Sequence, residues 1–349
     1  MNYLDNLIEI LVKEGASDLH ISEGRIPYIR VASHLMPISK IEKFSREIIE
    51  SILDKILSES KKKSFLERKS ADVSYEHNKE RFRVHVYVEQ KRICLSLRHI
   101  PKEILSISDL NLPKALENFA RLKSGFFLVV GPTGHGKSTT LASLIELING
   151  ERLENIITIE DPIEYLFTPK KSIIHQREIG IDTPGFNLAL RDSFRADVNV
   201  IMVGEMRDAE TMATAVSAAE TGHLVFSTLH TNNAAQTVDR IIDSFDSKQQ
   251  NQIRLQLASS LSGIFSQRLI PRISGGLIPA YELLINNTAV ANLVRDKRTH
   301  EINTVIETSS EEGMIDFNRC LVNLVNKGDI SVENAFLYSS NPNVLEKML

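Results

Sequence analysis

The fold of this chain is decided by one stretch of sequence, Phe126-Phe-Leu-Val-Val130 followed by Gly131-Pro-Thr-Gly-His-Gly-Lys137-Ser138. A continuous apolar run of this length suits a parallel strand that is buried on both faces. The residues after it satisfy the pattern G-x-x-x-x-G-K-[ST], and the spacing predicts a helix over 137–149. A strand, a glycine-rich turn and a helix in this order predict a phosphate-binding loop rather than a chance glycine-rich turn.

Each part of this loop has a chemical task. Glycines let the backbone N–H groups wrap phosphate oxygens, and the helix N-terminus adds a partial positive charge. We expect Lys137 to reach the β- and γ-phosphates of ATP and the Ser138 hydroxyl to ligate Mg²⁺. The predicted nucleotide site consists of Gly131, Pro132, Thr133, Gly134, His135, Gly136, Lys137, Ser138 and Thr139.

Apolar runs and amphipathic segments alternate after the loop. Further strands are predicted at 156–159, 200–203, 224–228 and 277–285, and further helices at 209–221 and 234–242. Strands that alternate with helices indicate a doubly wound, mostly parallel α/β sheet. The tail after Gly313 is predicted to be helical, with Leu321, Leu324 and Val325 on one side.

Polar side chains follow several of the predicted strands. Glu160, Asp161 and Glu164 come after the strand at 156–159, Glu205 follows the strand at 200–203, and His230 follows the strand at 224–228. Ligands of open α/β sheets bind beyond the carboxyl ends of the strands, so these side chains are candidates for the chemistry.

The candidates differ in the role that their chemistry suggests. Glu164 is predicted to be catalytic, while Asp161 has two open interpretations, binding of Mg²⁺ or water and capping of the next element. Gly204 stands where P-loop proteins commonly have a metal-binding Asp, so Glu205 is expected to act on the metal through bound water. His230 is expected to sense the γ-phosphate, with a purely structural histidine as the alternative.

The first hundred residues predict a smaller α/β domain. Apolar stripes at helical spacing begin at Leu4 and at Ile48, and Gly15 is placed to end the first helix. A β-hairpin follows, because apolar residues alternate from Phe82 to Leu97 about a polar turn at 89–91. Its other face collects Arg81, Arg83, Arg92 and Arg98. Residues 61–98 hold eleven Lys or Arg against five Asp or Glu, which on composition alone indicates a solvated basic face.

Composition excludes several classes of protein. The chain has 349 residues, enough for two domains, and its 42% hydrophobic and 25% charged residues fit a globular protein. Its two cysteines, Cys94 and Cys320, lack metal-ligand spacing. A net charge of −4 argues against nucleic acid as a partner. No apolar run approaches the ~20 residues of a membrane span, so we expect a cytoplasmic protein without a transmembrane segment. Residues 101–123, with Pro101 and Pro113, read as a linker.

The order of the motifs resembles that of the secretion-superfamily ATPases. After the P-loop come Thr158-Ile-Glu-Asp-Pro-Ile-Glu164, Val203-Gly-Glu-Met-Arg-Asp208, Ala219-Glu-Thr-Gly-His223 and Ser227-Thr-Leu-His-Thr231. Within the superfamily the chain is most similar to the type IV pilus retraction ATPases, the PilT family. The likeness extends to Ala16-Ser-Asp-Leu-His-Ile21, His175-Gln-Arg-Glu178, Asp239-Arg-Ile-Ile242 and Ala289-Val-Ala-Asn-Leu-Val-Arg-Asp296, the last similar to a motif associated with retraction.

The resemblance implies a domain organisation and an assembly. A PAS-like domain at 1–100 would be followed by a linker at 101–123 and by a RecA-like ATPase domain with a C-terminal helical region at 124–349. A homohexamer would stand on the cytoplasmic face of the inner membrane, at the pilus base. Its partners would be an inner-membrane platform protein and an accessory retraction ATPase.

The resemblance also implies roles for individual residues. In such rings the site lies between subunits, and Lys137, Ser138, Glu164, Glu205 and His230 would carry hydrolysis. Arginines of the N-terminal hairpin would reach the phosphates from a neighbouring domain; they are Arg81, Arg83 and Arg98. Two positions depart from the family pattern. His135 stands where the P-loop more often has Ser, and Val31-Ala-Ser-His34 replaces an acidic turn.

The function expected from these residues is ATP hydrolysis that drives pilus retraction and twitching motility. Four alternatives stay open at this point. An accessory retraction ATPase of the PilU type shares the same motifs. A pilus assembly ATPase usually carries a longer N-terminal region and a four-cysteine zinc site, which are not expected here. A type II secretion or DNA-uptake ATPase is an adjacent possibility. A regulatory nucleotide-binding scaffold would hydrolyse ATP negligibly.

Overall fold

The computed structural model describes residues 3–31, 34–39, 41–100 and 102–349. The chain forms two compact units, one made of Met1–Glu103 with Pro162–Leu166 and one made of Ile104–Asp161 with Phe167–Leu349. The domain limits expected from the sequence, 1–100, 101–123 and 124–349, stay a prediction. Ala32 and Ser33 of the segment noted above, and Pro101 of the predicted linker, lie outside the described residues.

The first unit is an antiparallel sheet with helices. Within the described residues its strands follow the order β3-β2-β1-β6-β5-β4. The strands are β1 (Asp18–Ser22), β2 (Tyr28–Val31), β3 (His34–Pro37), β4 (Ser70–His77), β5 (Glu80–Glu89) and β6 (Arg92–Ile100). The helices are α1 (Tyr3–Lys13), α2 (Arg46–Ile56) and α3 (Glu59–Arg68).

The hairpin predicted from alternation is strands β5 and β6. Its apolar face is buried, with Phe82, Val84 and Leu97 at 0% exposure. The turn residues Gln90 and Lys91 have φ values of 49° and 66°, the left-handed conformation that a two-residue hairpin turn requires. One face of this hairpin therefore belongs to the core of the first unit, and the other presents the arginines.

The second unit is built on a mostly parallel sheet. Its strands follow the order β13-β12-β7-β11-β10-β8-β9 in the part of the chain described, and only the pairing of β12 with β13 is antiparallel there. The strands are β7 (Gly125–Val130), β8 (Asn155–Glu160), β9 (Ile173–Glu178), β10 (Val200–Val203), β11 (Leu224–Leu229), β12 (Leu261–Pro271) and β13 (Leu277–Ile285).

Helices connect and cover these strands. They are α4 (Leu116–Ala120), α5 (Lys137–Glu151), α6 (Phe186–Ser193), α7 (Ala209–Glu220), α8 (Ala234–Asp243), α9 (Ser247–Ser260), α10 (Thr288–Arg295), α11 (Ile302–Thr308), α12 (Phe317–Asn326), α13 (Val332–Tyr338) and α14 (Pro342–Met348). Two 3₁₀ turns lie at Thr299–Glu301 and Ser310–Glu312. Each strand and helix predicted after the P-loop is present, to within about two residues at its ends.

Two strands of this sheet carried no clear signal in the sequence. Strand β9 lies at one edge of the sheet and is largely polar, with Ile173 exposed at its start. Strand β12 is buried, but its apolar run is broken by Ser266, Gln267 and Arg268. Tertiary pairing decides both strands, because an edge position and a polar interior each weaken the apolar pattern.

The C-terminal helices pack on the β12–β13 edge. Phe317, Leu321 and Leu324 of α12 join Ile270 and Ile278 of these strands in one buried cluster. The segment singled out at 289–296 is helix α10, in which Val290, Leu293 and Val294 are buried while Arg295 and Asp296 are exposed, as predicted. No helix of the described residues combines the length and the apolar character that crossing a bilayer requires.

A candidate nucleotide-binding site

The glycine-rich loop lies between β7 and α5 and is shaped by two close constraints. Gly131 has φ 147°, and a Cβ atom there would lie 2.3 Å from the carbonyl oxygen of Gln267. Gly136 has φ 80° and is the N-cap residue of α5. Side chains are excluded at Gly131 by the close approach and disfavoured at Gly136 by the left-handed backbone. The loop therefore passes close to the backbone of β12 at Gln267 and leads directly into the N-terminus of α5.

Lys137 is the most constrained polar side chain of the loop. It is only 8% exposed, and its Nζ donates to the carbonyl oxygens of Gly131 and Pro132 at 2.9 Å each. The same Nζ lies 3.3 Å from Nδ1 of His230. The loop thus surrounds a buried ammonium group with its own carbonyls, at the end of α5 that favours an anion.

Strands β10 and β11 bring two predicted residues to this loop. Their parallel register pairs Val203 with Ser227, and the Thr228 hydroxyl donates to the carbonyl oxygen of Gly204 at 2.6 Å. Glu205 and His230 follow these strand ends, and Oε2 of Glu205 lies 3.6 Å from Nε2 of His230. Lys137, His230 and Glu205 therefore form a connected group.

Arg207 joins this group although the sequence analysis assigned it no role. Its guanidinium pairs with Glu205 and lies 3.6 Å from Oδ2 of Asp161. Asp161 therefore forms an ion pair with Arg207. This contact is neither of the two roles that the sequence left open for Asp161, which were binding of Mg²⁺ or water and capping of the next element. Glu160 is buried, and it accepts hydrogen bonds from the Thr158 hydroxyl at 2.7 Å and from the Gln176 amide at 3.2 Å. Its contacts are those of a supporting residue between β8 and β9.

Glu164 and the hairpin arginines belong to the first unit. Nη1 of Arg83 lies 3.3 Å from Oε1 of Glu164. Arg81 donates from Nε and Nη2 to the carbonyl oxygen of Ile163, at 3.3 and 3.2 Å. Arg98 pairs with Asp18 at 3.0 Å and keeps 64% of its side chain exposed. All three arginines contact their own chain, and their reach to a neighbour's phosphates stays a prediction.

The segment after His230 is anchored to the β12–β13 edge. Ser266 of β12 donates from its hydroxyl to the carbonyl oxygen of Asn232 at 2.8 Å. The Ala234 N–H, at the start of α8, donates to Oε1 of Glu282 on β13 at 2.8 Å. Asn233 caps the same helix. The segment directly after His230 is therefore held by β12 and β13, two strands that carry none of the predicted catalytic residues.

Glu282 is the buried acid of this anchor. The pKa of its carboxyl is raised from an ordinary 4.5 to about 7, chiefly by burial and in smaller part by the negative Asp316. The Ala234 N–H and the positive Arg268 lower it in part. Glu282 interrupts the mostly apolar strand predicted at 277–285, which marks it in the sequence, whereas Gln267 lies among other polar residues of β12 and carries no such signal.

These features together define a P-loop nucleotide hydrolase of the RecA type, with a buried lysine and acidic and histidine residues at neighbouring strand ends. Residues 1–310 match the family model for Type II/IV secretion system proteins. The chain belongs to this family.

Named relatives and a solved structure agree with that assignment. The chain is 39% identical to the type IV pilus retraction ATPase PilT of Pseudomonas aeruginosa, over 95% of this chain and 96% of that protein. It is 36% identical to the type IV pilus ATPase PilU of the same organism, over 99% and 91%. A crystal structure of the pilus retraction motor PilT with bound ADP matches at 42% identity and a TM-score of 0.90, over 99% of both chains.

These comparisons confirm three predictions: the resemblance to the retraction ATPases, the two-domain fold class and the enzyme class of an ATPase. They also support a nucleotide as a ligand of this family member, because the solved relative carries ADP. They leave the roles of the individual site residues untested.

The raised pKa of Glu282 predicts a pH dependence of stability. A carboxyl whose pKa rises on folding stabilises the fold below the unfolded pKa and loses that contribution as the pH rises through the folded pKa. Glu282→Gln keeps an acceptor for the Ala234 N–H but cannot ionise. We expect the free energy of unfolding of Glu282→Gln to increase relative to that of the wild type between pH 4.5 and pH 7, by up to about 3 kcal/mol.

Denaturant unfolding at a series of pH values measures this difference. Glu346→Gln, at an exposed position on α14, is the matched control and should leave the free energy of unfolding nearly unchanged. A difference between Glu282→Gln and wild type that stays constant across the pH series would contradict the raised pKa.

Proposed function

We propose that this chain is the motor ATPase that drives retraction of a type IV pilus. The observation that carries the proposal is the extent of the likeness to the retraction motor, which covers 99% of both chains and so includes both units and the C-terminal helices. A likeness confined to the P-loop would support nucleotide hydrolysis alone.

In the proposed reaction the P-loop binds ATP and Lys137 contacts the β- and γ-phosphates. The Lys137 ammonium is already held among loop carbonyls at the N-terminus of α5, so it can exchange these acceptors for phosphate oxygens with little movement. Charge on the transferred phosphoryl group would then be stabilised by a pre-positioned cation. His230, 3.3 Å from Lys137, would respond to the same phosphate.

The residues fit a Mg²⁺ ion held chiefly by the nucleotide. Among the described residues no three His, Cys, Asp or Glu side chains are grouped so as to bind a metal, but Mg²⁺ commonly takes few protein ligands and completes its shell with phosphates and water. The exposed Ser138 hydroxyl in the first turn of α5 would hold it directly, and Glu205 through water. When bound, the ion supplies neutralisation of phosphate charge.

Glu164 is proposed to accept the proton of the attacking water. The Arg83 guanidinium lies 3.3 Å from this carboxylate. Arg81, Arg83 and Arg98 are proposed to act on the nucleotide of a neighbouring subunit in a homohexamer. The basic hairpin face would then serve catalysis as well as solvation.

The proposed setting is the pilus base. The partner that receives the work would be an inner-membrane platform protein, reached from the cytoplasmic side. An accessory retraction ATPase is the second candidate function, and the similarity to PilU at 36% identity over 99% of this chain favours it specifically. An accessory ATPase would bind alongside a primary motor and would be insufficient for retraction by itself.

Two substitutions separate nucleotide binding from hydrolysis. Lys137→Ala should remove both, because it deletes the cation that receives the β- and γ-phosphates. Glu164→Gln should retain ATP binding while turnover falls by a factor on the order of 10²–10⁴, since the amide keeps the shape but accepts no proton. Equilibrium binding of ATP and steady-state phosphate release measure the two effects. Weak ATP binding by Glu164→Gln would instead indicate a structural or metal-binding glutamate.

Mixed assemblies test whether the arginines act between subunits. Arg83→Ala and Arg98→Ala proteins should fold and assemble but hydrolyse ATP poorly. Mixing either with Lys137→Ala protein should restore part of the activity, because some interfaces then combine one intact half-site from each parent. Arg92→Ala, on the same hairpin face, is the control and should stay active alone. An absence of rescue at every mixing ratio would favour a solvated basic face.

The direction of work is tested in cells. Loss of the gene should leave cells with surface pili but without twitching motility, whereas bald cells would point to an assembly ATPase. Arg295→Glu, on the exposed side of α10, should keep ATPase activity and still abolish motility if this helix couples hydrolysis to a partner. Arg319→Glu, an equal charge reversal at an exposed position on α12, is the control and should remain motile.

A further inference from the structure

Strand β12 extends beyond the end of its parallel neighbour β7. Their register pairs Ser266 with Val130, the last residue of β7, while β12 continues to Pro271. Past Val130 the chain turns into the P-loop. Within the described residues, the part of β12 beyond Ser266 therefore has no strand partner on the β7 side and contacts the P-loop instead, through Gln267 and Leu269.

Gln267 joins the loop to the strand through both ends of its side chain. It is 3% exposed, its Oε1 accepts from the Thr140 hydroxyl at 2.7 Å, and its Nε2 donates to the carbonyl oxygen of His135 at 2.9 Å. A buried amide with both ends paired has a fixed orientation. Gln267 thus ties the middle of the loop and the first turn of α5 to one point on β12.

The His135 side chain forms a further hydrogen bond between the loop and β12. The backbone N–H of Leu269 donates to Nδ1 of the His135 ring at 2.9 Å, which satisfies a main-chain donor on the strand margin. Nδ1 can accept this bond only while it carries no proton. Burial lowers the pKa of the ring, and the charged groups that face it, Arg268 of β12 and Lys137 of α5, lower it further. The ring is therefore held neutral, with Nδ1 available as an acceptor.

We propose that His135 and Gln267 are positioning residues that clamp the P-loop to β12 in the shape that receives a nucleotide, and that His135 does so through an unprotonated Nδ1. A loop held in this shape before binding loses less conformational entropy when the nucleotide arrives. The proposal concerns nucleotide affinity and rests on the P-loop site, independently of any work done on a pilus.

Three substitutions test how much these contacts contribute to nucleotide affinity. His135→Asn places an amide oxygen close to the position of Nδ1 and cannot titrate, whereas His135→Ala removes the acceptor and Gln267→Leu removes both amide bonds. Binding of a fluorescent ADP to the purified full-length chain at pH 8 is the measurement. We expect His135→Asn to bind within about two-fold of wild type and His135→Ala to bind roughly five- to ten-fold more weakly, the size of one neutral hydrogen bond. Gln267→Leu should bind at least as weakly as His135→Ala, because it removes two such bonds.

A pH series tests the protonation state. The ratio of the wild-type dissociation constant to that of His135→Asn cancels the titration of the nucleotide itself. This ratio should be near one at pH 8 and should rise as the pH falls below 6.5, because protonation of Nδ1 removes the bond only in the wild type. His300→Asn, at an exposed position, should follow the wild-type curve.

Specific results would overturn the proposal. His135→Ala binding as tightly as wild type, His135→Asn binding no better than His135→Ala, or a ratio independent of pH would each do so. Should an Ala variant fail to fold, as judged by thermal unfolding, the His135→Asn comparison and the pH series still decide the matter. ADP binding that survives in Lys137→Ala would instead show that the nucleotide site itself is misassigned.

Discussion

The backbone hydrogen bonds of the parallel strands β8, β10, β11 and β7 hold the second unit together and fix its site. Each pair is in register along its length, so neighbouring strands end at the same edge. Hydroxyls reinforce this alignment, since Ser227 donates to the carbonyl oxygen of Val203 and Thr228 to that of Gly204. A slip of one residue would turn Glu205 and His230 away from the loop. The positions of Glu205 and His230 thus depend on strand pairing.

The β12–β13 edge forms a second layer of support behind the site. Glu282 anchors the start of α8 after His230, and Gln267 anchors the P-loop. Arg268, the residue after Gln267 on β12, donates to the carbonyl oxygen of Tyr338 and stacks over the ring of Phe317. The same two strands therefore contact the nucleotide loop on one side and the C-terminal helices on the other.

The basic face of the first unit has a different energetic character. Arg83 and Arg98 keep 39% and 64% of their side chains exposed while pairing with Glu164 and Asp18. The two guanidinium groups are largely open to water, which can replace a carboxylate as their partner, so such pairs contribute little stability on the arginine side. Asp18 itself is buried. The exposed arginine ends could therefore change partners, which a residue acting on a neighbour's phosphate would have to do.

The sequence by itself determined the P-loop, the strands and helices around it and the family of the protein. These features rest on local patterns, such as the apolar run at 126–130 and the glycine spacing that follows it. Tertiary structure alone decided the existence of β12 as a strand, the contact of Lys137 with His230, and the roles of Arg207, Gln267 and Glu282. The physical reason is that a buried polar residue in a strand weakens the local apolar signal, while its partners lie far away in sequence and meet it only when the sheet has formed.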